Sequence, residues 1–142
     1  MIYINIDDLL TYIQKPLLEG SIMNENKEVD YSILDNIEAD TIDLVKGYLI
    51  GRYEISKIFD SSPVLRNGIL VQIISMITVY RAVKRNAARK VPEDYKDFYS
   101  DSIALLERIQ SGALVLENMP QVSGENGASL VWGNNTNQDF FI

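Results

Sequence analysis

The sequence predicts an all-α protein, a compact bundle of about four helices with a short extended N-terminal arm and a flexible C-terminal tail. Two segments, around residues 34–48 and 95–109, repeat apolar residues at the spacing of a helix that buries one face. Between them, residues 69–80 are apolar almost all round, which is typical of a central buried helix. We therefore expect a helical domain over residues 1–119 and a tail over 120–142.

The N-terminal region is expected to hold the arm, a short helix and a loop. Isoleucines alternate with other residues over 2–6, which indicates an extended arm or an edge strand. Asp7 is a suitable N-cap for a short helix that ends near Gln14, before Pro16. The polar residues 20–30 predict a loop.

The second predicted helix follows Asp30, a good N-cap, and ends at residues 51–53. Its apolar stripe consists of Leu34, Ile37, Thr41, Leu44 and Tyr48. Three carboxylates lie off that stripe and indicate a solvated helix face, since no metal-binding loop interrupts the helical pattern: Glu38, Asp40 and Asp43. Arg52, beside two tyrosines, is suited to stack on a ring or to bind free carbonyls at a helix end.

The third predicted helix begins after a connector, residues 54–62, with Ser62 as cap and Pro63 in the first position. It runs to about Arg89. Its β-branched residues would also suit a strand, but they do not alternate, so a helix is favoured. Polar residues recur every three positions and are expected to face solvent, the helix backbone or an oligomeric neighbour: Gln72, Ser75 and Thr78.

The fourth predicted helix follows the break at residues 90–92, with Glu93 and Asp94 in its first turn, where the helix dipole favours negative charge. Its stripe comprises Tyr95, Phe98, Ser102, Leu105 and Ile109. Gly112 ends the helix, and residues 113–116 suit a short β segment.

The tail combines glycines and asparagines with strongly apolar side chains. Aromatic residues often anchor interfaces. We therefore predict partner-binding residues at Trp132, Phe140, Phe141 and Ile142. Docking on the chain's own core, docking on a partner and simple disorder all remain open.

Composition restricts the chemistry available. The chain has no cysteine and no histidine, so thiolate catalysis and disulfides are excluded, as is the commonest general base near neutral pH. An enzyme would depend on carboxylates, lysine, tyrosine or serine, and we expect a non-enzymatic protein without cofactor or metal. The longest apolar run has 12 residues, against roughly 20 for a membrane span, and no signal peptide is visible. No membrane partner is expected.

Charge is unevenly distributed along the chain. Residues 1–60 carry 12 acidic and 5 basic side chains, whereas residues 61–110 carry 5 acidic and 8 basic ones. One basic cluster stands out: Arg81, Lys84, Arg85, Arg89 and Lys90. It complements a helix C-terminus. A nucleic-acid-binding or regulatory role for this cluster is the alternative, although no recognition motif accompanies it.

The order of these features resembles one known family. The segments that carry the resemblance are 1–3, 7–10, 47–53, 79–81, 92–95, 105–107 and Gly112. Over about residues 1–119 the chain resembles the head-to-tail connector proteins of Mu-like tailed phages and prophages, long classed as a domain of unknown function. Two features depart from it: Ser56 stands where a proline is common, and the tail after Pro120 lies outside the segments that match.

The resemblance implies a helical adaptor. Copies would form a ring beneath the portal protein, contact tail or stopper proteins, and let DNA pass through. The protein would be found in the host bacterial cytoplasm during assembly and then at the head-tail junction of the virion. In such a ring, an acidic face of one copy can meet a basic face of the next.

Overall fold

The computed structural model describes residues 1–86 and 90–122. Within them the chain forms six helices, α1 (Ile6–Leu10), α2 (Lys15–Ser21), α3 (Ser32–Leu49), α4 (Ile55–Phe59), α5 (Gly68–Lys84) and α6 (Glu93–Ser111). The predicted all-α fold is confirmed. The two short helices α2 and α4 are additional to the about four that were predicted.

Helix α5 forms the centre of the bundle, as predicted for residues 69–80. Helices α1, α2, α3 and α6 all pack against it. Six of its apolar residues have no exposed surface: Leu70, Ile73, Ile74, Ile77, Val79 and Ala82. Burial of one large apolar side chain contributes about 1.5–3 kcal/mol, and α5 supplies more buried apolar residues than any other helix.

The amphipathic helices α3 and α6 cover α5 with their apolar stripes. On α3, Leu34, Val45 and Leu49 are fully buried, and on α6 so are Leu106 and Ile109. Leu34 and Ile109 belong to the predicted stripes, whereas Val45, Leu49 and Leu106 lie beside them, so the stripes mark the buried faces only in part. In the described residues, none of the helices combines the length and apolar character needed to cross a membrane.

Helix α6 ends where the sequence predicts. Gly112 adopts a left-handed conformation with φ of 89°, which favours glycine because other residues meet a steric penalty there. A Cβ atom at this position would also lie 2.8 Å from Nη2 of Arg52. The backbone conformation therefore favours glycine, and a Cβ atom here would also displace the end of the Arg52 side chain.

Several predicted boundaries are wrong near the N-terminus. Asn5 rather than Asp7 caps α1, because its side chain accepts from the Asp8 amide in a capping box. Pro16 does not end a helix but lies in the first turn of α2, where no amide donor is required. The predicted loop is shorter than 20–30, because α2 continues to Ser21.

The predicted boundaries around α5 are also wrong. The connector 54–62 contains α4, and the Ser62–Pro63 peptide bond is cis and lies before the helix. The cap is Asn67, whose side chain accepts hydrogen bonds from two amides of the first turn. The helix ends at Lys84 rather than near Arg89.

The described residues contain isolated β-bridges and no strand. The β segment predicted over 113–116 is therefore wrong. One bridge joins Tyr53 to Gln121 and the other joins Met23 to Val29. Residues 113–122 instead return along the end of α3, where the Glu54 amide donates to the Pro120 carbonyl.

Candidate interaction surfaces

The N-terminal arm is fastened to α3 by one buried carboxylate. Glu38 is only 1% exposed. Its Oε2 accepts from the Tyr3 and Ile4 amides at 2.9 and 2.8 Å, and its Oε1 accepts from the Ile2 amide at 2.6 Å. The expectation that Glu38 lies on a solvated face is wrong. It was missed because its partners are backbone amides more than thirty residues away.

The alternation expected over residues 2–6 also fails. Tyr3 and Ile4 are neighbours in sequence, yet both are buried, whereas Ile2 is exposed. The Tyr3 hydroxyl donates to the Leu65 carbonyl at 2.7 Å and accepts from the Asn67 amide at 3.0 Å. Burial raises the pKa of Tyr3 above its usual value. This tyrosine therefore joins the arm to the segment before α5.

An ion pair secures the same region from outside. The Arg66 guanidinium donates to both carboxylate oxygens of Asp8, at 3.1 and 3.2 Å, and to the Tyr3 carbonyl. Burial alone would raise the pKa of Asp8, but the hydrogen bonds from Arg66 and from the Asn5 amide outweigh it and lower the pKa. The lowered pKa of Asp8 is therefore explained by the contacts that hold this region in place.

Arg52 and Tyr53 hold the C-terminal end of α6 and the segment that follows it. The Arg52 side chain donates to the carbonyls of Gln110 and Ser111, the last residues of α6. It binds free carbonyls at a helix end, one of the two roles expected of it. The Tyr53 hydroxyl accepts from the Leu116 amide at 2.8 Å. The N-terminal arm and the segment after α6 are therefore both held by specific polar contacts.

The polar residues of α5 do not behave as expected. Ser75 and Thr78 are fully buried. Their hydroxyls have no hydrogen-bond partner in the described structure, nor has that of Ser102 on α6. The prediction that these side chains face solvent or bond to the helix backbone is therefore wrong for Ser75 and Thr78. Gln72 is exposed, as predicted. Buried hydroxyls without partners lower stability.

The predicted basic cluster is only partly available for a ligand. Arg81 donates to the Thr41 hydroxyl at 3.3 Å, and Arg85 donates to the Ser21 carbonyl at 3.0 Å. Lys84 lies 5.7 Å from the ring centre of Tyr80. Lys84, Arg85 and Lys90 are exposed. The fold thus engages two arginines of the cluster in hydrogen bonds, whereas Lys84 and Lys90 are exposed.

Five predicted site residues lie outside the described residues: Arg89, Trp132, Phe140, Phe141 and Ile142. Their proposed partner-binding roles stay predictions. Within residues 1–86 and 90–122, no group of three or more carboxylates is arranged to hold a metal ion.

Sequence reasoning missed an apolar groove between α2 and the facing ends of α5 and α6. Its lining includes Pro16, Leu17, Val83 and Tyr95, and its volume is about 340 Å³. Leu17 is 44% exposed. The sequence contains one sign of this groove, the adjacent pair Leu17 and Leu18. Adjacent residues of a helix point to different sides, so one of two neighbouring leucines is left partly exposed.

The family described as Bacteriophage Mu, Gp36 matches residues 3–130 of the chain. The match covers every described helix. The chain belongs to the bacteriophage Mu Gp36 family. No curated protein matches the sequence. As a member of the Gp36 family, the chain is a phage protein, and the family match extends eleven residues beyond the helical domain predicted over 1–119.

Proposed function

We propose that the chain is a structural adaptor at the head-to-tail junction of a tailed phage or prophage. Copies assemble as a ring beneath the portal protein and join it to tail or stopper proteins, while DNA passes through the centre. The match to the Gp36 family over residues 3–130 carries this proposal. The resemblance of residues 1–119 to phage connectors supports the finer role.

The bundle has the specific polar contacts expected of a structural subunit. Glu38 holds the N-terminal arm and Arg52 closes the end of α6, so neither end depends on weak surface contacts alone. A ring needs two different complementary surfaces on each copy. Exposed carboxylates on α3 and exposed lysines near the end of α5 provide opposite charges: Asp35, Asp40, Asp43, Lys84 and Lys90.

The adaptor is proposed to work by binding alone, without cofactor or catalysis. The sequence offers neither histidine nor cysteine. The shifted pKa values of Tyr3 and Asp8 arise from contacts that fasten the arm. We place the protein in the host cytoplasm during assembly and in the virion afterwards.

Deletion of the gene from its phage or prophage tests this role. We expect DNA-filled heads and free tails to accumulate separately, with infectivity falling by orders of magnitude, and a plasmid copy to restore both. Joined particles with normal infectivity would overturn the proposal. The host strain carrying an empty plasmid is the matched control.

The alternative is a DNA-binding role for the cluster between Arg81 and Lys90. Exposed Lys84 and Lys90 favour it, since such side chains can reach phosphates. The hydrogen bonds of Arg81 and Arg85 to protein oxygens count against it. Titration with labelled duplex DNA decides the matter. An affinity that falls steeply with salt and is lost in Lys84→Glu would support DNA binding, whereas no measurable binding would support the adaptor.

A further inference from the structure

The groove beside α2 has the character of a binding site for a short apolar segment. It is open to solvent and lies where α2, the end of α5 and the start of α6 meet. Pro16, Leu17, Val83, Pro92 and Tyr95 line it, and its volume is about 340 Å³. That volume is at the small end of the range for pockets that bind small ligands, which is roughly 300–1,000 Å³. A few large side chains would fill it.

Basic groups stand at the α2 side of this groove. Arg85 donates a hydrogen bond to the carbonyl of Ser21, a residue of the groove wall. Lys15 precedes Pro16 at the start of α2 and is exposed. The first turn of α6, on the other side of the groove, is acidic. An occupant is therefore favoured if its negative charge lies beside α2 and Arg85 and its apolar side chains lie toward α6.

The chain itself contains a segment of that chemistry. Residues 123–142 carry two acidic side chains and no basic one. Asp139 directly precedes Phe140, Phe141 and Ile142. We propose that the groove binds the chain's own segment 139–142, with the two phenylalanines against the apolar wall and Asp139 toward Arg85.

Chain length permits this contact within one molecule. The Val122 amide bonds to the Arg52 carbonyl, at the end of the bundle where α6 finishes. The groove lies at the start of α6, and 19 residues of helix span roughly 28 Å. The 18 residues from Val122 to Phe140 have a root-mean-square reach of roughly 23 Å and a limit of roughly 60 Å.

The effective concentration of a tethered segment is on the order of millimolar. Docking within one chain therefore outcompetes docking between dilute copies. The proposal does not depend on the adaptor role, because it concerns a contact inside a single molecule. A second copy's segment in the same groove is the competing outcome of the test.

Disulfide trapping tests the contact cleanly, since the native chain has no cysteine. The double variant Leu17→Cys with Phe141→Cys is oxidised at micromolar concentration and followed by non-reducing electrophoresis. Leu17 is partly exposed, so its replacement should leave the fold intact, which circular dichroism verifies. The control Val115→Cys with Phe141→Cys carries its thiol on an exposed residue that does not line the groove.

We expect an intramolecular disulfide that forms at least about tenfold faster than in the control, at a rate independent of protein concentration. Replacing Arg85 with Glu should slow it, and adding Asp139→Lys to that variant should restore it. Equal rates in the two cysteine pairs would overturn the proposal. Crosslinked dimers whose yield rises with concentration would also overturn it, in favour of a second copy.

Hydrogen exchange in the cysteine-free chain gives an independent check. The variant Phe140→Ser with Phe141→Ser should exchange the amides of α2 several-fold faster than the wild type. The matched control Asn134→Ser with Asn135→Ser should leave them unchanged. Unchanged exchange of α2 in both variants would contradict the proposed docking.

Discussion

Replacing Glu38 with alanine tests how the N-terminal arm is held. The substitution removes the only acceptors shown for three amides, those of Ile2, Tyr3 and Ile4. A hydrogen bond to a charged group contributes about 1.5–3 kcal/mol, and an abandoned buried donor costs about 1–3 kcal/mol. Ile2 is exposed, so water can replace its partner. Tyr3 and Ile4 are buried, so their amides lose most.

We therefore expect Glu38→Ala to lower the free energy of unfolding by about 3–5 kcal/mol. Glu38→Gln keeps one carbonyl oxygen, which can serve the Tyr3 and Ile4 amides while the Ile2 bond is lost. Its expected cost is about 1–2 kcal/mol. Urea denaturation followed by circular dichroism at 222 nm measures both values, with an unchanged m-value as the sign of an unchanged fold.

Asp40→Ala on the exposed side of the same helix is the control, and it should stay within about 0.5 kcal/mol of the wild type. Hydrogen exchange of residues 2–4 should rise sharply in Glu38→Ala and remain protected in the control. A loss below about 1 kcal/mol in Glu38→Ala would refute the view that this carboxylate fastens the arm.

Three further perturbations probe the packing. Thr78→Val removes a buried hydroxyl without a partner and should raise the free energy of unfolding by about 1 kcal/mol in thermal melts; a loss of that size would reveal a hidden partner. Gly112→Ala, at φ 89°, should cost about 1–2 kcal/mol, whereas Gly47→Ala inside α3 should stabilise slightly; equal effects would contradict the left-handed conformation. Asp8→Asn should cost about 1 kcal/mol at pH 7. Because pairing with Arg66 lowers the pKa of Asp8, this stabilisation is present at neutral pH and is lost as the pH falls below about 4. The free energies of unfolding of Asp8→Asn and the wild type should therefore converge in acid. A difference that stays constant with pH would contradict this role of the ion pair.

The long helices were readable from the sequence because burial imposes a period on their apolar residues. The stripes of α3 and α6 and the near-complete burial of α5 follow from that rule alone. The first residues of the helices were harder to predict from the sequence. Ser62–Pro63 has the pattern of a helix start, yet Asn67 caps α5 a few residues later, because its side chain reaches the first-turn amides.

The contacts that fasten the ends could not be read from local patterns. Glu38 looks like any surface carboxylate on a helix until the arm supplies its donors. Likewise, Arg52 acts on the end of a helix nearly sixty residues away in sequence. The groove beside α2 depends on how three helix ends meet, which periodicity within a single helix does not specify.

Electron cryo-microscopy of purified virions tests the proposed adaptor role most directly. The proposal predicts a ring of copies of this helical bundle between the portal and the tail, with α5 at the centre of each copy. Mass spectrometry of the same particles should detect the chain in multiple copies. Particles that lack the chain, or that hold it elsewhere than at the head-to-tail junction, would contradict the account.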